Sequence, residues 1–212
     1  MSDAPEPPPP PPPVVVADDL LATGPRGVVF GPVSLRAGPG EVVALTGPGG
    51  SGRTSLLLAL AGRYALAGGT LAVAGATAPR EIRGRVAVAR ADALLDLDEL
   101  WTVGEAVAQR ALLSGGAPAR VAEPEAVPLH ALSAVRRALL DVALAASERR
   151  PVLVMDDVDR GLVPEDEERV WRALAALGDV AVIGVTTDAR PARAAGATVV
   201  SLAPGASEVA AP

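Results

Sequence analysis

With 212 residues and a formal charge of −6, the chain is long enough for one domain with tails and too acidic overall for broad binding along a nucleic-acid backbone. It holds no cysteine and a single histidine, His130, which excludes a disulfide framework, thiolate chemistry and any multi-histidine metal site. Lysine is absent, so all 19 basic residues are arginine, and with aromatics at 2% the core must be built from Ala, Val and Leu.

Residues 1–13 end in unbroken proline from Pro7 to Pro13 and read as a solvated polyproline II tail outside the fold. This acidic start carries neither the basic n-region nor the apolar h-region of a secretory signal. The longest uncharged run near the middle, residues 64–79, is too short and too rich in Gly and Thr to span a bilayer. A cytoplasmic protein is the resulting expectation.

Along the chain, Val/Leu/Ile runs predict strands at 14–16, 28–35 and 41–46, then a helix at 55–61. Strands follow at 70–73 and 85–89, helices at 103–112 and 133–146, a strand at 152–156 and a helix at 165–177. The last strands fall at 180–186 and 198–202. The strands at 152–156, 180–186 and 198–202 are continuously apolar, as expected for strands covered on both faces. The helix at 165–177 has Pro164 at its start, acidic residues in its first turn and Gly178 after its end, all boundary signals. Its stripe of Val170, Trp171, Leu174 and Leu177 assigns Trp171 to the core. Residues 203–212 read as a loose tail. Alternating strands and helices imply an α/β fold around a mainly parallel sheet.

The chemistry concentrates in Gly47-Pro48-Gly49-Gly50-Ser51-Gly52-Arg53-Thr54-Ser55, placed between an apolar strand and a helix. Strand, glycine-rich turn and helix is the setting in which backbone N–H groups converge on phosphate oxygens, helped by the helix dipole. Thr54 stands where a hydroxyl ligates Mg²⁺. Arg53 occupies the lysine position, for which the lysine-free composition offers a neutral explanation. A second signal is Val152-Leu153-Val154-Met155-Asp156-Asp157, an apolar strand ending in a carboxylate, the Walker B pattern that sets an aspartate beside Mg²⁺.

Together with Val33-Ser34-Leu35, Gly40-Glu41-Val42-Val43-Ala44-Leu45 and Gly68-Gly69-Thr70-Leu71 followed by Gly75, these motifs resemble the ATP-binding subunit of ABC transporters over residues 14–202. The resemblance implies a P-loop NTPase fold of ABC type, with an N-terminal antiparallel β portion and a helical subdomain shortened to about residues 100–132. It implies ATP and Mg²⁺ as cofactors. Gly47, Pro48, Gly49, Gly50, Ser51, Gly52, Arg53, Thr54 and Ser55 would bind the nucleotide, Thr54 and Asp156 the metal, and Asp156 and Asp157 would be catalytic. The implied partners are a membrane-spanning subunit on another chain, at the inner face of the membrane, and a second ATP-binding subunit in a homo- or heterodimer; nucleic acid is not among them.

Several positions depart from the family pattern. At the signature L-S-G-G-Q, Leu132-Ser133-Ala134-Val135-Arg136 lacks both glycines. Leu113-Ser114-Gly115-Gly116 imitates the signature, but Pro118, Pro124 and Pro128 deny it the continuous helix that must follow; it reads as a flexible loop. The catalytic glutamate becomes Asp157, the dimer-interface aspartate Val163 and the switch histidine Thr187. No glutamine occurs in residues 86–102, where Arg90 is the nearest candidate. No aromatic in residues 24–29 is available to stack on adenine, and Phe30 reads as core. Phosphoryl transfer depends on positioning, so these changes together predict slow hydrolysis. The rival expectations are a catalytically silent nucleotide sensor or regulatory protein, and a scaffold that binds no nucleotide.

Overall fold

A computed structural model of the chain describes residues 11–91, 99–116 and 118–203. Eight strands and six helices follow one another as β1 (Val15–Gly24), β2 (Gly27–Ala37), β3 (Val42–Thr46), α1 (Arg53–Leu60), β4 (Gly68–Val73), α2 (Pro79–Arg83), β5 (Val86–Arg90), α3 (Val103–Ser114), α4 (Ala134–Ala146), β6 (Val152–Met155), α5 (Pro164–Ala175), β7 (Ala181–Val185), α6 (Ala189–Ala194) and β8 (Thr198–Ser201). Every expected strand and helix is present among them.

The strands form two sheets. A three-stranded antiparallel sheet has the order β2-β1-β4, and a five-stranded parallel sheet has the order β5-β6-β7-β3-β8. One apolar cluster joins them around α1, whose Leu56, Leu57, Leu58, Ala59 and Leu60 are all buried. On the other face of the parallel sheet, α4, α5 and α6 contribute Val135, Ala138, Val170, Trp171 and Ala192 to a second cluster. A small third cluster around Val103, Leu129, Leu140 and Leu144 holds α3 against α4. The helix α1 is thus packed against both sheets, which anchors the loop that precedes it.

Three expectations needed revision. The first strand runs to Gly24 instead of ending at Val16, because Asp18 and Asp19 interrupt its alternation without ending it. They sit at a bulge, Asp19 has a φ of 50°, and both side chains face outward to Arg36 and Ser34. The last strand is not covered on both faces: β8 is an edge strand paired only with β3, with its residues exposed or half-buried. The imitation signature is not a plain loop either; Leu113 and Ser114 close α3 and Gly115, at φ 65°, caps it. That segment ends a helix where a signature opens one. The helices α2 and α6 escaped the reading because five or six residues carry too little periodicity. The tail expectations lie largely outside the described residues.

Candidate phosphate-binding site

The loop from Gly47 to Gly52 leaves the C-terminal end of β3 and enters α1 without a side-chain cap. Gly52 is the N-cap at φ 83°; a Cβ there would lie 2.3 Å from the Val29 carbonyl oxygen and 2.8 Å from Phe30 Cβ. Only glycine fits, and Phe30, 1% exposed, is the core residue against which the loop is pressed. Gly50 is also left-handed, at φ 78°, but faces open space. Within the loop the Ser51 amide donates to the Pro48 carbonyl at 3.1 Å, while the buried Ser51 hydroxyl has no partner. The result is an uncapped helix N-terminus with an unpaired buried hydroxyl, a surface suited to phosphate oxygens.

Thr54 is exposed on the first turn of α1, and its side chain interacts with the Asp156 carboxylate at the end of β6. The parallel sheet brings the two together, since β6 and β3 both flank β7. Burial pushes the Asp156 carboxyl above its ordinary value, Thr54 pulls it down, and the charge of Asp157 raises it further. One hydroxyl and one carboxylate suit Mg²⁺, which takes few protein ligands and completes its shell with water and substrate phosphates. Among the described residues no group of three or more His, Cys, Asp or Glu side chains could hold a metal by itself.

Asp157 is exposed and takes a φ of 41°, a left-handed conformation that aspartate tolerates better than most residues. Its amide donates to its neighbour, the Asp156 carboxylate, at 3.1 Å. Arg53 does not point at a free loop: its Nη1 donates to the Thr186 carbonyl at 2.9 Å, beyond the end of β7. Pro48 and Gly49 are exposed at the mouth of the loop, and Ser55 is half-buried behind it. The residues expected at the phosphate loop and strand end therefore lie together at the C-terminal ends of the parallel strands β3 and β6.

Sequence reasoning missed what holds this face in place. The Thr186 hydroxyl donates to Glu167 Oε1 at 2.8 Å, and the same oxygen accepts the Trp171 indole N–H at 2.9 Å. Glu167 is only 4% exposed, and burial pushes its carboxyl up against these two hydrogen bonds. A charged residue one helical turn before Trp171 was the available signal. Thr187, at the switch position, donates through both its amide, at 2.9 Å, and its hydroxyl to Asp159 Oδ2. Arg90, buried at the end of β5, pairs with Asp141 of α4 at 2.7 Å. Ser133 is exposed at the N-cap of α4 and makes no capping hydrogen bond, and Val163 is 56% exposed.

The family model of ABC transporters matches residues 30–160, from β2 through both carboxylates. A Streptomyces avermitilis protein named as an ABC transporter ATP-binding protein is 35% identical over 191 residues, 82% of this chain and 33% of that one. The Nod factor export ATP-binding protein I of Paraburkholderia xenovorans is 33% identical over 178 residues, 73% of this chain and 55% of its own. The chain thus spans between a third and about half of the length of these relatives. Among solved structures, an ATP-binding subunit of an ABC transporter superposes with a TM-score of 0.72 at 18% identity, covering 89% of this chain and 85% of that one. A dimeric ATP-binding cassette holding ADP and Pi superposes at 0.67 with 19% identity, covering 89% and 94%. Motif, sheet order and match to the family model agree, and the chain belongs to the ABC transporter family as one of its nucleotide-binding domains.

Proposed function

We propose that residues 14–202 form a unit that binds Mg-ATP through residues 47–55 and serves an ABC transporter system, with slow hydrolysis. The observation that carries this reading is the glycine-capped N-terminus of α1 facing the Thr54–Asp156 pair. Backbone N–H groups of the loop and the Arg53 charge are available to the phosphates, and Thr54 and Asp156 to the metal. Bound Mg²⁺ would supply charge neutralisation at the β- and γ-phosphates. Asp157 is positioned at the strand end as the group to orient water, one methylene short of glutamate. Thermal unfolding with and without Mg-ATP tests the reading, since a ligand of the native state alone raises stability by mass action.

The transport partners belong to the same proposal. Among the described residues no helix is long and apolar enough to cross a membrane. The proposed partner is a membrane-spanning subunit on another chain, with this one at the inner face of the membrane, as in the family of ATP-binding subunits it belongs to. A cleft of about 440 Å³ between α3, α4 and the end of β5 is lined by Arg90, Arg110, Leu113, Arg137 and Leu144. Leu112 and Leu113 beside it are 83% and 72% exposed, as on a docking face. Val163 exposes a second apolar site where the family's subunits pair, which supports a homo- or heterodimer.

A second reading, a nucleotide sensor without turnover, is favoured by the Arg53–Thr186 and Thr187–Asp159 hydrogen bonds. They engage within the chain two positions that a working site directs at nucleotide. Nucleotide binding with no phosphate release even beside a transport partner distinguishes this reading.

A further inference from the structure

We propose that Arg90 is a positioning residue, which holds the Asp156–Asp157 turn against α4 through a buried ion pair with Asp141. Arg90 touches that turn twice. Its carbonyl accepts the Asp156 amide at 2.9 Å, and its Nη1 donates to the Asp157 carbonyl at 3.4 Å. Its other two donors are both fixed on Asp141 Oδ2, Nε at 3.0 Å and Nη2 at 2.7 Å. The planar guanidinium is therefore oriented by α4 before it reaches the turn, a geometry that a lysine ammonium cannot copy. Arg137 extends the network, reaching Asp141 at 3.4 Å and Glu99 at 3.0 Å.

The arrangement has a reason in the chemistry of the turn. Asp157 sits at φ 41°, a conformation that relaxes unless its surroundings hold it. The Asp157 carbonyl also accepts the Arg160 amide at 3.1 Å, closing the turn, and the Val158 amide donates to the Val185 carbonyl at 2.8 Å, tying it to β7. The Arg90 side chain ties it to α4, and it does so from a site 9% exposed. A buried cation is retained only where it is paired, and this one has its partner on the helix that Ser133 opens. Asp156 and Asp157 are thus held at one end by the sheet and at the other by the Arg90–Asp141 pair. The functional part of this proposal rests on the Mg-ATP reading; the clamp itself does not.

Two variants test it on the full chain. Arg90→Lys keeps the charge and loses the fork. The paired replacement Arg90→Met with Asp141→Leu removes both buried charges together, so that the fold survives without the clamp. In the nucleotide-free protein, amide exchange at Asp157 and Val158 should accelerate at least about tenfold in both variants, while Leu153 and Val154 within β6 keep their protection. Affinity for a non-hydrolysable ATP analogue should fall about fivefold or more with Mg²⁺ and stay unchanged in EDTA, because only the metal-linked carboxylate turn has moved. Unchanged exchange at Asp157, or an equal loss of affinity with and without Mg²⁺, overturns the proposal. Failure of the Mg-ATP reading would show separately, as absence of nucleotide binding by the wild-type protein while the exchange result still reports on the clamp.

Discussion

The Arg53 guanidinium donates to the Thr186 carbonyl at 2.9 Å, joining the phosphate loop to the turn after β7 across 133 residues of sequence. The acceptor is itself held firmly, since Thr186 is fully buried and its hydroxyl is bound to Glu167. In this arrangement the cation at the lysine position has one of its donors committed to the protein. Nucleotide must therefore either share the guanidinium through its remaining donors or displace it from Thr186.

Arg53→Lys should raise affinity for Mg-ATP about tenfold, the scale of one hydrogen bond to a charged group, with a smaller effect on turnover. A loop lysine contacts phosphate in ground and transition states alike, so its benefit is to binding. Isothermal titration of both proteins checks this. Equal affinities would show that Arg53 is a neutral product of composition.

The loop glycines should differ in their tolerance. Gly52→Ala places a Cβ 2.3 Å from the Val29 carbonyl, a backbone atom that cannot yield, whereas Gly50→Ala meets nothing within 4 Å. Urea unfolding should show a loss of roughly 2 kcal/mol or more for the first, and about 1 kcal/mol, the strain of a left-handed alanine, for the second. Nucleotide binding should be abolished by the first change alone.

Hydrolysis by the wild-type protein should stay below about one turnover per second, the low end of the usual enzymatic range. Asp157→Glu should raise turnover by about tenfold to a hundredfold, because a missing ångström at a water-orienting group has that scale. Affinity should hardly change. A phosphate-release assay decides both points, and a wild-type rate at or above the threshold would show that arginine and aspartate suffice at these positions.

Glu167 gives a prediction in pH. Burial raises its carboxyl above the ordinary value of 4.5 despite the hydrogen bonds from Trp171 and Thr186. A raised folded value means that its stabilising contribution is complete below pH 4.5 and is lost as pH rises through the folded value. Glu167→Gln keeps an oxygen acceptor for both donors and cannot ionise. Its stability relative to wild type should therefore be constant below pH 4.5, improve as pH rises through the folded value and level off above it. The other raised carboxyls, Asp141 and Asp156, are present in both proteins and cancel. Urea midpoints measured across that range would refute the account if the difference did not vary with pH.

What was legible in the sequence was local. Val/Leu/Ile runs marked all eight strands, the first only at its start, and Gly47, Gly50 and Gly52 with Thr54 marked the loop, because turn chemistry and apolar periodicity are written in neighbouring residues. The exposure of β8 was not legible, since apolar content does not say whether a strand lies inside a sheet or at its edge. Arg90–Asp141, Thr187–Asp159 and Glu167–Thr186 were hidden for a related reason. The first two join elements that the parallel sheet order brings together, the third joins a helix to the end of the next strand, and polar pairs at such separations leave no periodic trace. The residues expected to carry the chemistry were thus visible, while those that hold them in place were not.

Isothermal titration of the full chain with a non-hydrolysable ATP analogue, with and without Mg²⁺, tests nucleotide binding at residues 47–55. Binding should be saturable, strengthened by Mg²⁺ and returned to the metal-free level by Asp156→Asn, with native-state stabilisation of about 2.7 kcal/mol at a hundredfold excess over Kd. No heat and no thermal shift at millimolar nucleotide would contradict it.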